Sequence, residues 1–261
     1  MSAHTGPVDL RNHNILITGA GDGFGRALAC QAAAAGAQVL LLGRTLRKLE
    51  AVYDSIIATG GSTPILVPGD LATLDADAAE AVADAVRDQI GVLHGLVHNA
   101  AELGQRVPLQ YYDPNQWQQV LHVNLTAPFL LTRALLPALL AADAARILFL
   151  SSSVGIRGGA YWGAYSVSKF GLEGLAQVLR DELENTSRVR VHVVNPGRMR
   201  TAMRAAAYPA EDVDSLPIPA ALAVATLPLL DIRQIDPREQ ITLQLGTTAP
   251  EAVSSAAASA S

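Results

Sequence analysis

Ile15-Leu16-Ile17-Thr18-Gly19-Ala20-Gly21-Asp22-Gly23-Phe24-Gly25 joins a short apolar run to a glycine-rich turn, and Ala-rich sequence follows it. Glycines there let the backbone turn tightly and come close to a ligand. The free N–H groups at the start of a following helix then suit a pyrophosphate. No Gly-Lys-Ser/Thr follows, so the turn is not a P-loop. Between a first strand and a first helix, it points to a dinucleotide-binding βαβ unit.

The pattern continues outward from that turn. Further apolar runs of strand length fall at 39–42, 65–67, 96–98, 147–150, 191–194 and 241–245. Between them lie Ala-rich stretches whose apolar residues recur three or four apart, such as Val82, Val86 and Ile90. Continuous apolar strands, not alternating ones, fit a parallel sheet covered on both faces. The spacing therefore predicts an α/β fold: a single-domain, Rossmann-like, doubly wound parallel sheet of about seven strands. No Pro/Gly/Ser-rich linker divides it, so one domain is expected over 1–248, with a disordered tail at 249–261. The segment 198–227 breaks the alternation, carries Met199, Met203 and Tyr208, and is long for a connection. Such segments are often lids or binding loops.

Composition narrows the function. The chain has 261 residues, half of them hydrophobic and only 16% charged, with 19 basic and 24 acidic side chains and a net charge of −5. No basic field exists to hold a nucleic-acid backbone or an anionic membrane. The uncharged stretch 216–230 contains Pro217, Pro219 and Pro228, too short and broken to cross a bilayer. Residues 1–10 carry no apolar core flanked by positive charge, so no signal peptide is expected. The lone Cys30 makes no internal disulfide, which fits a reducing, cytoplasmic compartment.

Two further constellations carry chemistry. The second strand ends in Gly43-Arg44, where an acidic residue would accept hydrogen bonds from ribose hydroxyls. Arg44 offers instead a fork of donors matched to a 2′-phosphate, which favours NADP(H) by about 1.5–3 kcal/mol. Tyr165 and Lys169 stand one helical turn apart, with Ser152 thirteen residues earlier just past the fifth strand. An ammonium about 5 Å from a phenol, at an effective dielectric near 20, is worth roughly 3 kcal/mol. That lowers the phenol's pKa by about two units, provided the cleft is partly buried.

With these residues in place the chain resembles the short-chain dehydrogenase/reductase family over about 11–245. The matching pieces run in order: the Thr18–Gly25 turn, Gly43-Arg44, Asp70-Leu71, His98-Asn99-Ala100, Asn124, Ser152, Tyr165-Ser166-Val167-Ser168-Lys169, and Asn195-Pro196-Gly197 with Thr201. The stretches 151–155, 162–170 and 195–209 look particularly like the bacterial YciK-type oxidoreductases.

The resemblance implies roles. Tyr165 would exchange a proton with the substrate's carbonyl or hydroxyl oxygen, Lys169 would lower its pKa and hold the nicotinamide ribose, and Ser152 would polarise the substrate oxygen. Asn124 would position a water in a relay to Lys169. Gly19, Asp22, Gly23, Phe24 and Gly25 would meet the pyrophosphate, Asp70 and Leu71 the adenine, and Asn99 and Ala100 the ribose side. Pro196, Gly197 and Thr201 would embrace the nicotinamide. A homodimer or homotetramer, built through the helices carrying Asn124 and Tyr165, is also implied.

The sequence departs from the family where Asn-Asn-Ala-Gly is usual and His98-Asn99-Ala100-Ala101 stands. Ala101 tolerates positive φ poorly, so that turn is expected to differ. The run Ser151-Ser152-Ser153 leaves the serine open by one position, and the spacing to Tyr165 favours Ser152. His94 and His98 have ligand spacing only on a helix, and His98 falls in a strand, so no metal is expected. Cys30 reads as core, and no Gly-x-Ser-x-Gly elbow marks a hydrolase. The resulting expectation is an NADP(H)-dependent oxidoreductase of CH–OH/C=O groups on a small molecule. The alternative is a non-catalytic NADP(H)-binding regulatory or scaffold protein. Specificity would lie in 102–109 and 198–227, neither of which carries a pattern that names a chemical group.

Overall fold

Seven parallel strands form one sheet: β1 (Asn14–Thr18), β2 (Gln38–Gly43), β3 (Ile65–Pro68), β4 (Gly95–His98), β5 (Ala145–Leu150), β6 (Val189–Asn195) and β7 (Gln240–Thr242). Their spatial order is β3-β2-β1-β4-β5-β6-β7. The computed structural model describes residues 8–234 and 240–242. Residues 243–245 of the expected last strand and the expected tail at 249–261 lie outside them, as does most of the 1–10 stretch. Eight helices punctuate the described strands: α1 (Gly23–Ala34), α2 (Leu46–Ala58), α3 (Ala76–Ile90), α4 (Pro114–Leu121), α5 (Ala127–Leu140), α6 (Gly163–Glu184), α7 (Ala202–Ala207) and α8 (Pro219–Thr226).

Burial on both faces explains the apolar runs. Ile15, Ile17, Val39 and Leu41 point into one core, beneath α1, α2 and α8. Leu16, Leu40 and Leu42 point into the other, against α3, α5 and α6. Each fully buried Leu or Ile contributes about 1.5–3 kcal/mol relative to exposure. In register, Ile15 pairs with Val39 on one side and Gly95 on the other, so the carboxyl ends of β1, β2 and β4 finish together. The chain order reverses at β1, and the crevice above that point is where open parallel sheets take ligands.

Local chemistry sets the helix starts. Asp75 caps α3 by accepting the Ala78 N–H at 2.8 Å, and Asp113 precedes Pro114, the first residue of α4. From Pro114 to Leu140 the chain is one helix of 27 residues, long and apolar enough by length and composition to cross a membrane. Its inner residues Leu131, Leu135 and Leu139 are instead buried in the protein core. A π turn at His122–Thr126 interrupts it around Asn124.

The segment 198–227 is not one irregular connection. Pro219 opens α8 as its first residue, and Leu222, Ala223 and Leu227 are buried in the core beneath α1. A proline at the first helical position loses no hydrogen bond, so Pro219 can start a helix within this proline-containing segment. The cover over the sheet is therefore confined to the part before α8.

Candidate active-site cleft

A cleft of about 560 Å³ opens above the carboxyl ends of β1, β4, β5 and β6. Its floor is the glycine-rich turn. Gly19 and Gly23 hold φ of 66° and 51°, and a Cβ on Gly25 would collide with the Gly19 carbonyl and the Asn99 amide. The Asn99 Nδ2 donates to the Thr18 carbonyl at 2.8 Å, while the Thr18 hydroxyl accepts the N–H groups of Asn99 and Ala100, each at 3.0 Å. These bonds tie the end of β1 to the end of β4. Ala101 is not among the described non-glycine residues with positive φ, and Gly104 takes φ 66° instead.

Asp22 caps α1, accepting the Gly23 N–H at 2.7 Å with one oxygen and Lys48 Nζ at 2.6 Å with the other. The Lys48 ammonium holds the Asp22 carboxyl below its ordinary pKa. Lys48, Thr45 and Arg44 line one end of the cleft, with Asp70 and Leu71 from the turn after β3. Arg44 reaches across to Glu102, Nη1 to Oε1 at 3.6 Å.

At the other end stand Ser152, Tyr165 and Lys169. Lys169 is buried, donates from Nζ to the Leu150 carbonyl at 2.6 Å, and lies 5.6 Å from the Tyr165 ring centroid. Burial pushes the Tyr165 phenol up to about 12, partly offset by the Ser152 hydroxyl beside it. Burial pushes Lys169 down to about 8, with the Glu173 carboxylate opposing. Burial of the phenol, not the neighbouring ammonium, sets the direction of this shift. The cost of removing a phenolate from water dominates, while the ammonium is committed to a carbonyl. Of the three serines in the run, Ser151 Oγ is buried without a partner and Ser153 is exposed, whereas Ser152 faces the phenol.

Asn124 and Gly25 do not line the cleft. Asn124 is 1% exposed, and its Oδ1 accepts the Glu102 N–H at 2.7 Å. Its Nδ2 donates to the Glu102 carbonyl at 2.9 Å and to the Ser168 hydroxyl at 3.0 Å, and Ser168 in turn donates to the Tyr165 carbonyl at 2.7 Å. The side chain expected to place a water is occupied in bracing α6 against the loop after β4.

The segment after β6 roofs the cleft. Gly197 holds φ 72°, and Thr201 caps α7 by accepting the Arg204 N–H at 3.2 Å. Met199, Met203 and Ala207 face inward, as does Trp162 at the start of α6, whereas Tyr161 is exposed. Arg106 pins this roof: its guanidinium lies 4.2 Å from the Trp162 ring centroid and 5.1 Å from that of Tyr208, and donates to the Ala207 carbonyl.

Lys48, Glu102 and Arg106 are contributions the motifs did not single out. For Lys48 a signal existed, a basic residue one turn beyond Gly43-Arg44. Arg106 had none, since its partners lie more than 50 residues away. Arg198, Arg200 and Arg204 pair with Glu211 or Asp214, and Arg204 also lines the roof. His98 is buried, with Nε2 2.8 Å from the Thr132 hydroxyl, and Cys30 packs half-buried against the core.

The residues present fit a phosphorylated dinucleotide. A glycine floor excludes side chains where a helix N-terminus opens, two cations stand at one end, and a phenol–ammonium–serine set stands at the other.

The short chain dehydrogenase family model matches residues 13–212. The "uncharacterized oxidoreductase YciK" of Escherichia coli K12 is 46% identical over 211 residues, which are 81% of this chain and 83% of that protein. A solved structure of YciK from E. coli superimposes with a TM-score of 0.86 at 41% identity, covering 93% of this chain and 98% of that one. A short chain dehydrogenase from E. coli CFT073, complexed with NADPH, superimposes with a TM-score of 0.85 at 42% identity, covering 90% and 97%.

Proposed function

The chain belongs to the short chain dehydrogenase family, and from that premise we propose that it is an NADP(H)-dependent oxidoreductase interconverting a carbonyl and an alcohol on a small molecule. The observation that carries the reading is one cleft with Arg44 and Lys48 at one end and Ser152, Tyr165 and Lys169 at the other. The NADPH complex of a 42% identical neighbour supports the same cofactor.

When bound, the nicotinamide supplies or accepts the hydride, and the protein supplies binding, position and charge. Arg44 and Lys48 would hold the 2′-phosphate. Gly19, Gly23 and Phe24 would take the pyrophosphate at the start of α1, with Gly25 packed beneath and Asp22 keeping Lys48 in place. Asp70, Leu71, Asn99 and Ala100 would border the adenosine, and Pro196, Gly197 and Thr201 the nicotinamide.

In the reducing direction, Tyr165 donates its proton to the substrate oxygen, which the Ser152 hydroxyl also hydrogen-bonds. A phenol with a pKa near 12 is fully protonated at neutral pH and is therefore ready to donate. The phenolate left behind is the costly species, and Lys169, still mostly charged at pH 7, stabilises it. Asn124 acts by position, bracing Ser168 and the loop that borders the cleft. The exposed apolar side chains Phe129 and Leu140 on α5, with Val167, Phe170 and Val178 on α6, support a homodimer or homotetramer formed through those helices. The single thiol, Cys30, fits a reducing cytoplasm.

The test is a parallel fluorescence titration with NADPH and NADH, followed by NADPH consumption against a carbonyl panel. NADPH should bind at least about tenfold more tightly than NADH. Tyr165→Phe should lower turnover by about 10²- to 10⁴-fold while leaving the NADPH Kd nearly unchanged. Binding of neither dinucleotide by folded protein, or full activity of the Tyr165→Phe variant, would overturn it.

A further inference from the structure

We infer that Glu102 is a built-in competitor for Arg44: its carboxylate holds the guanidinium that a 2′-phosphate needs, and so sets how strongly the cleft discriminates between 2′-phosphorylated and 2′-hydroxyl dinucleotides. The inference rests on the NADP(H) reading and concerns the same end of the cleft.

The two side chains come from opposite sides of β1. Arg44 follows β2, Glu102 follows β4, and both line the cleft. The pair Nη1–Oε1 at 3.6 Å thus spans the crevice above the glycine-rich turn. The partners are unequal. Arg44 is two-thirds exposed in its side chain, whereas Glu102 is 24% exposed. Glu102 is fixed at three points: Asn124 holds its N–H at 2.7 Å and its carbonyl at 2.9 Å, and Gln119 Nε2 donates to Oε2 at 2.9 Å. The arginine is the exposed arm and the carboxylate the anchored post.

Two consequences follow from charge alone. A dianionic phosphate that engages Arg44 must draw the guanidinium off Glu102, or else sit beside an unneutralised carboxylate. Either route weakens the phosphate's hold and leaves a ligand with a 2′-hydroxyl unaffected. The carboxylate also parks Arg44 in the crevice, at the place where it is needed. Because the pair is partly exposed, its effect has the size of a surface ion pair, a factor of about two to five.

The experiment uses the whole chain and two fragments that differ only at the ribose, adenosine 2′,5′-bisphosphate and 5′-AMP, titrated calorimetrically. Glu102→Gln preserves the backbone bonds to Asn124 and the shape of the side chain. It should tighten the bisphosphate about two- to fivefold and leave 5′-AMP unchanged. In an Arg44→Gln background the same substitution should do nothing, because the competition has lost its object. Glu102→Ala, with circular dichroism to verify folding, should repeat the gain if the glutamine variant is unstable. Equal tightening of both ligands, no tightening, or a gain that persists without Arg44 overturns the inference alone. A wild-type chain that binds the bisphosphate no better than 5′-AMP overturns the cofactor reading and this inference with it.

Discussion

Lys169 donates its ammonium to the Leu150 carbonyl at 2.6 Å, and this bond fixes a positive charge at the end of β5 beneath the cleft. The charge is kept against a desolvation cost that has pushed the lysine down to about 8.

A pH dependence and a trade-off are expected from that cost. In the reducing direction turnover should fall as pH rises through about 8, as the ammonium that stabilises the phenolate is lost. The unfolded lysine titrates near 10.5, so the folded state binds fewer protons between those values and the stability cost is relieved only as pH rises across them. Lys169→Met should therefore abolish turnover yet raise stability at pH 7 by about 1–3 kcal/mol. Thermal melts of both proteins at pH 7 check the sign, and a less stable variant would refute it.

Arg44→Asp should lower NADPH affinity about 10- to 150-fold, the range of a hydrogen bond to a charged group, with NADH affected far less. Paired titrations decide this, and equal losses would remove the phosphate role.

Arg106→Ala should loosen the roof. Each cation–π contact is worth about 0.5–1 kcal/mol, and the carbonyl bond to Ala207 is lost as well. Amide exchange across α7 should speed up about ten- to three-hundredfold, while exchange across α1 and α8 stays unchanged. Uniform acceleration throughout the chain would show a global effect instead.

His98 should make the protein acid-sensitive. Burial holds the imidazole down to about 3, with the Lys169 charge adding to the effect. The folded state thus refuses a proton that the unfolded chain takes up below about 6.5. Its stabilising contribution is complete above pH 6.5 and is lost as pH falls toward 3, with a limiting slope of about 1.4 kcal/mol per pH unit. His98→Asn should flatten that slope, whatever it does to the plateau. Denaturant titrations from pH 7 to pH 4 measure it.

Much of the molecule was legible because burial on both faces writes strands as unbroken apolar runs, as in Val39 to Leu42. The cleft was legible because strand ends are close in sequence to the turns that line it. What escaped depended on distance in the chain. Arg106 meets Ala207 across 101 positions, and nothing local to either predicts the other. Helical spacing placed Lys169 beside Tyr165 but carried no information on how deeply both are buried, and depth decided the direction of the phenol's pKa. α8 went unannounced because one residue type both ends helices and begins them, and Pro219 begins this one.

The π turn at Asn124 has a bearing on phase. A strict α-helix advances 100° per residue, so a 27-residue rod would lock the orientation of its last turns to that of its first. The wider turn resets that angle midway. α4 is thereby free to seat Val120 with Tyr112 and Ala164 near the start of α6, while α5 seats Leu131, Leu135 and Leu139 under the sheet. Removing one residue from the turn would straighten the rod and leave one of those two faces pointing at the wrong neighbour.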